Sequence, residues 1–203
     1  MSATNLRQIR PQLTYGSKQD GVAAVEFAVV AMLFFLIVFG IIEFCRAMYM
    51  YNTLAEVTRH AAAAAANISF NDKDGLDLAR KRAVLDEDNG NLPFGSPITY
   101  RNVHIDYMYL PPKAFALQII AAGSLPTCPV KNRVNCMSDP NGTSCIRAVQ
   151  ARICKEDSGS ETCTPVDYES LIPLIKLPLL LPTSPTIVTA ETLGYKTGDV
   201  PCS

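Results

Sequence analysis

The sequence predicts an α+β protein: a long N-terminal helix, apolar first and amphipathic after, followed by a small strand-rich, disulfide-stapled head. Three observations predict it. Residues 22–42 run as VAAVEFAVVAMLFFLIVFGII, with Glu26 their only charge. Helical spacing continues past that run to residue 66. Six of the seven cysteines lie beyond position 127, among segments that alternate as strands do.

A helix over residues 22–42 is roughly 31 Å long, the thickness of a bilayer's hydrocarbon core. One ionised Glu in such a span costs about 2.5–3.5 kcal/mol at mid-membrane and less near the interface. An anchor alone is better served by Leu, so Glu26 asks for a reason. Residues 1–21 are polar, contain Pro11 and show no apolar periodicity, which predicts an unstructured cytoplasmic leader. A secretory signal peptide fits poorly. Its apolar core runs about 7–15 residues with a small-residue cut site close behind, and the alanines here lie too far downstream.

Past Ile42 the helical pattern continues. Phe44, Ala47, Tyr51, Leu54, Thr58, Ala61 and Ala65 recur at steps of three and four and form one predicted stripe. Arg46, Asn52, Glu56, Arg59 and His60 decorate the other faces. The alanines at 61–66 give high helix propensity and a thin surface for close packing. The predicted organisation is therefore a leader over 1–21, a transmembrane helix over 22–42, its continuation over 43–66 and a head over 67–203.

Within the head, Asp72 or Asp74 caps a short helix from about 75 to 85, with Leu76, Ala79 and Ala83 on its inner side. Residues 98–110 alternate, Val103, Ile105, Tyr107 and Tyr109 against Asn102, His104 and Asp106, and predict a strand. Residues 114–122 are apolar and read equally as a short helix or a buried strand. Residues 145–154 predict a second strand, residues 168–181 are apolar and proline-punctuated, and 186–195 predict a closing strand.

The formal charge of −1 suggests no nucleic-acid partner. Arg7, Arg10 and Lys18 against Asp20 give residues 1–21 a charge of +2; removing +2 from −1 leaves −3 for a chain beginning at Val22. A basic N-terminus that stays inside puts the cysteines outside the cytoplasm, where they read as disulfides. Cys128, Cys136, Cys145, Cys154, Cys163 and Cys202 allow fifteen pairings. The polar intervals favour Cys136–Cys145 and Cys154–Cys163, leaving Cys128–Cys202. No two cysteines approach zinc-ligand or redox spacing, so no metal and no cofactor is expected. Cys45, just past the span, is expected to be a small buried helix residue, with an intermolecular disulfide as the other reading. His60 and His104 stand in no ligand or catalytic pattern, and neither a nucleophile elbow nor a P-loop is present. No motif argues for an enzyme.

The opening GVAAVEF resembles the prepilin-peptidase site of type IV pilins. The longer pattern, GVAAVEFAVV followed by FGIIEFCRAMYMYNTLAEVTRHAA, resembles TadE-like minor pseudopilins of tight-adherence (Flp-type, type IVb) pilus systems. The resemblance is strong over residues 21–66 and loose over 168–195. It implies cleavage between Gly21 and Val22, with Glu26 and Phe27 as the fifth and sixth mature residues. It further implies that the Val22 amine and the Glu26 carboxylate pair between neighbouring subunits, making burial tolerable in an assembly. The partners it implies are the prepilin peptidase, other pilins and pseudopilins, inner-membrane pilus assembly proteins and the lipid bilayer. The implied place is the bacterial inner membrane, head in the periplasm, and the implied roles are pilus assembly, adhesion and biofilm formation. The rival reading is an unprocessed single-pass membrane protein with a periplasmic binding or sensor module.

Overall fold

The structure, a computed structural model, describes residues 20–112, 116–158, 162–172, 178–198 and 202. The predicted leader lies almost wholly outside the described residues. Helix α1, Asp20–Ala65, is followed by α2 (Lys73–Ala83), β1 (Val103–Tyr109), β2 (Gln118–Ile119), α3 (Pro129–Ser138), β3 (Ala148–Ile153) and β4 (Thr186–Thr189). The strands form one antiparallel sheet in the order β2-β1-β3-β4. Helices and an antiparallel sheet make the chain α+β, as its sequence predicts. It divides into two compact units, Met1–Ile41 and Ile42–Ser203.

In the first unit α1 is exposed at residues 21–30 and again at 32–37. It is long and apolar enough to cross a membrane. In the second unit α1 lies on the sheet, with Met50, Leu54, Val57 and Ala61 sharing a core with Val103, Ala151 and Ile153. The thin alanine face carries on into a second cluster, where Ala65 and Ala66 join Phe70, Tyr107 and Val149. Thr58, buried in α1, shares a 2.9 Å hydrogen bond with Thr186 of β4.

The buried stripe differs from the predicted one. Ala47, Leu54, Thr58, Ala61 and Ala65 point inward as expected, but Phe44 is 64% exposed and Tyr51 39%. Glu43, Met50 and Val57 take the inner positions instead. Tyr51 lies at the margin, where its hydroxyl donates to the Leu180 carbonyl at 2.8 Å. Cys45 is exposed, not buried, because it follows Phe44 on the outward side.

Helix α2 begins where Asp72 accepts a hydrogen bond from the Gly75 amide at 2.9 Å, and it buries Leu76, Ala79 and Ala83. Strand β1 starts later than predicted because residues 100–102 form a 3-10 turn capped by Thr99. Its second face is not a solvent face: Asp106 and Met108 are buried and His104 is half-buried. Residues 118–119 settle part of the ambiguous segment as a short edge strand; 113–115 lie outside the described residues. The closing strand ends at Thr189, earlier than predicted, and the chain then turns through Leu193 and Gly194. Gly194 sits at φ 78° with the Ser69 backbone within 3.0 Å of any added Cβ, so only glycine fits there.

Three disulfides close the second unit: Cys128–Cys202, Cys136–Cys145 and Cys154–Cys163. The first joins positions 74 apart and the other two join positions nine apart. Helix α3, which the sequence did not predict, opens on Pro129 directly after Cys128. It buries Asn132, whose Oδ1 accepts from the Ile146 amide at 2.8 Å, beside the Cys136–Cys145 bridge.

Candidate functional site

Two regions of α1 carry candidate chemistry. The first is the start of the helix. Gly21, Val22, Glu26 and Phe27 are all exposed, Val22 at 68% and Phe27 at 75%. Glu26 makes no ion pair or hydrogen bond among the described residues. Among the described residues a Cβ added at Gly21 or Gly40 meets nothing within 4 Å, so their packing demands glycine at neither position. This stretch presents apolar side chains and one carboxylate that has no partner among the described residues.

The second region begins at Glu43, which directly follows the apolar run. Its side chain is fully buried. Oε1 accepts from the Tyr168 hydroxyl at 2.6 Å and the Leu171 amide at 3.1 Å, and lies 3.5 Å from Arg46 Nη1. Arg46, one turn on, donates to the carbonyls of Phe94 (2.9 Å), Ser96 (2.8 Å) and Glu169 (2.6 Å). Its guanidinium also lies 5.2 Å from the centre of the Tyr168 ring. Burial, and then the hydrogen bond to Glu43, push the Tyr168 hydroxyl above its ordinary range, so it stays a donor. Two loops distant in sequence are thus fastened to one turn of α1 by a charge pair. Arg46 is part of this buried network rather than a solvated decoration.

The signal for this network was present in the sequence. Glu43, Ala47, Met50, Leu54, Val57 and Ala61 recur at steps of four and three, as regular as the predicted stripe. Arg three positions after Glu is the spacing of a helical ion pair, and the apolar stripe that Glu43 opens is the side the head buries.

A second buried pair lies on the sheet. Arg152 of β3 reaches Asp106 of β1 at 3.0 Å and 2.7 Å. Burial pushes the Asp106 carboxyl up while Arg152 pulls it down; burial likewise pushes His104 down, with Asp106 opposing. His104 shares a cavity of about 380 Å³ with Arg80 and Asp106, while His60 is exposed elsewhere. Among the described residues no group of three His, Cys, Asp or Glu is placed to hold a metal ion.

The fold and site of the described residues define a class: a membrane-capable apolar helix that continues into a disulfide-closed antiparallel α+β domain. Residues 21–63 match the family model described as TadE-like protein, so the helix carries the TadE-like pattern from Gly21 through the Glu43–Arg46 turn. The match supports a protein associated with tight-adherence pilus systems and ends within α1, short of the sheet. No curated protein and no solved structure matches the chain.

Proposed function

We propose that the protein is a minor pseudopilin acting structurally in assembly of a tight-adherence pilus. The observation that carries this reading is the helix start: apolar side chains exposed through residues 22–30 and, behind Gly21, a Glu26 without a partner among the described residues. A surface of that kind is stable in a bilayer or against other apolar helices, and an unpaired carboxylate within it calls for a cationic partner.

On this reading residues 1–21 are a cytoplasmic leader that the prepilin peptidase removes between Gly21 and Val22. Residues 22–42 span the inner membrane, 43–66 continue the helix outside it, and 67–203 form a periplasmic head. The freed Val22 amine and Glu26 pair between neighbouring pilin helices, with Phe27 packing beside them. Three disulfides suit an oxidising periplasm. The protein does no chemistry of its own; its partners are the bilayer, other pilins and the inner-membrane assembly proteins.

The test is the N-terminus of the membrane-extracted protein, read by mass spectrometry in cells with and without the prepilin peptidase. A chain beginning at Val22 only when the peptidase is present is the expected result. A chain retaining its leader in both cells overturns the pseudopilin reading in favour of an unprocessed, single-pass binding or sensor module.

A further inference from the structure

The buried Glu43–Arg46 turn holds two loops, and what those loops expose points to a second contact. Arg46 Nε binds the carbonyl of Phe94, whose side chain is 86% exposed. Glu43 Oε1 binds the amide of Leu171, whose side chain is 66% exposed. Phe94 also holds a φ of 55°, a backbone region that bulky residues rarely adopt. The backbone of each loop is therefore held by a buried charge while Phe94 and Leu171 stay exposed.

The height of these side chains along α1 matters. Glu43 is the first residue after the apolar run, and Arg46 is four residues past Ile42, roughly 6 Å along a helix axis. Phe44 of the same turn is 64% exposed and Met48 of the next is 49% exposed. Tyr49 is also partly exposed, and its hydroxyl donates to the Pro93 carbonyl at 3.1 Å. Aromatic and apolar side chains at that depth are what the headgroup boundary of a bilayer accommodates. Phe94 and Leu171 are tied through their backbones to the turn that directly follows the apolar run.

We infer that Phe94 and Leu171 seat the head on the outer headgroup layer of the bilayer, a lipid contact separate from the span itself. It rests on the reading of residues 22–42 as a span. The contact would fix the tilt and rotation of the head, because both loops are tied to α1 through one ion pair. Glu43 and Arg46 are then positioning residues for this surface.

The chain contains no tryptophan, so one introduced residue is a unique reporter. Phe94→Trp, Leu171→Trp, Met137→Trp and Phe35→Trp would each be made in the full chain. Each variant would be reconstituted in phosphatidylethanolamine/phosphatidylglycerol vesicles, with and without lipids spin-labelled near the headgroup or deep in the acyl chain. Met137, on α3, is 86% exposed and serves as the aqueous control.

The expected result is loss of Phe94→Trp and Leu171→Trp emission to the shallow label with protection from aqueous iodide. Met137→Trp should respond to iodide alone, and Phe35→Trp to the deep label. Quenching of Phe35→Trp by lipid with Phe94→Trp and Leu171→Trp open to iodide overturns the headgroup contact and leaves the span intact. Absence of lipid quenching at Phe35→Trp overturns the span, and the proposal with it.

Discussion

Glu26 and Glu43 belong to one helix, and the molecule treats them in opposite ways. Glu43 is fully buried and bound by a hydroxyl, an amide and a guanidinium. Glu26 is exposed among exposed apolar residues, with no partner among the described residues. The same contrast separates their surroundings. Past Ile42 apolar residues find a core, loops are fastened and cysteines are paired; before it, side chains face outward along the helix. The second region buries most of its apolar and charged groups against its own residues, whereas the first leaves an apolar surface open that a bilayer or neighbouring helices would cover.

That contrast breaks most visibly at the disulfides, all of which lie in the second unit. Cys128–Cys202 ties positions 74 apart and restrains the unfolded chain most. By loop entropy it contributes about 4.5 kcal/mol, against about 2.6 kcal/mol for each nine-position bridge. The double variant Cys128→Ala/Cys202→Ala should lower the urea midpoint more than Cys136→Ala/Cys145→Ala does. Equal losses would mean that packing, not loop closure, sets the contribution.

Glu43→Ala comes next. Removing one partner of a buried pair strands the other, a loss of about 3–5 kcal/mol. Three carbonyls still hold Arg46, so about 3 kcal/mol is expected, read from the thermal midpoint of the purified chain. A loss under about 1 kcal/mol would place this pair with exposed ones and erase the difference between the two glutamates.

Tyr107 sharpens the comparison, because its buried hydroxyl has no partner among the described residues. Burial pushes it from 10.0 up to about 12, with Arg80 pulling the other way. Folding thus favours the protonated form. Its contribution is whole below pH 10 and is lost as pH rises through about 12; two pH units correspond to roughly 2.7 kcal/mol. Chemical denaturation from pH 8 to 12 should show wild type losing most of that, about 2.3 kcal/mol, relative to Tyr107→Phe. Parallel curves for the two proteins would refute it.

What the sequence made legible follows the same division. The apolar run, the continuing helix, α2 with its inner face and the strand through Tyr107 all rest on local periodicity, which a one-dimensional pattern displays. The disulfide pairs were readable because polar intervals of fixed length favour local bridges. The rotation of α1 was not. Stripes 44/51/58 and 43/50/57 share Ala47, Leu54 and Ala61, and the aromatic pair Phe44 and Tyr51 made the wrong one look apolar. Only Tyr168 and Leu171, over a hundred residues away, show why Glu43 is the inner choice. Helix α3 escaped for a related reason: its one buried residue is Asn132, so it carries no apolar stripe. Its place is fixed by a side-chain hydrogen bond and a bridge.

The smallest expected effect on the head is the most telling about function. Glu26→Leu removes a carboxylate that makes no ion pair or hydrogen bond among the described residues, so the head's thermal midpoint and its three disulfides should not move. Membrane insertion should hold or strengthen, since an apolar residue replaces a charge in an apolar stretch. What should be lost is pilus on the cell surface, measured as sheared pilin, because the proposed partner of Glu26 is the Val22 amine of a neighbouring subunit. Glu26→Gln should lose it too, as a neutral amide cannot balance that charge. A fully piliated Glu26→Leu strain would remove the reason for the charge and favour the unprocessed module. A weakened head would show instead that Glu26, like Glu43, answers to its own chain.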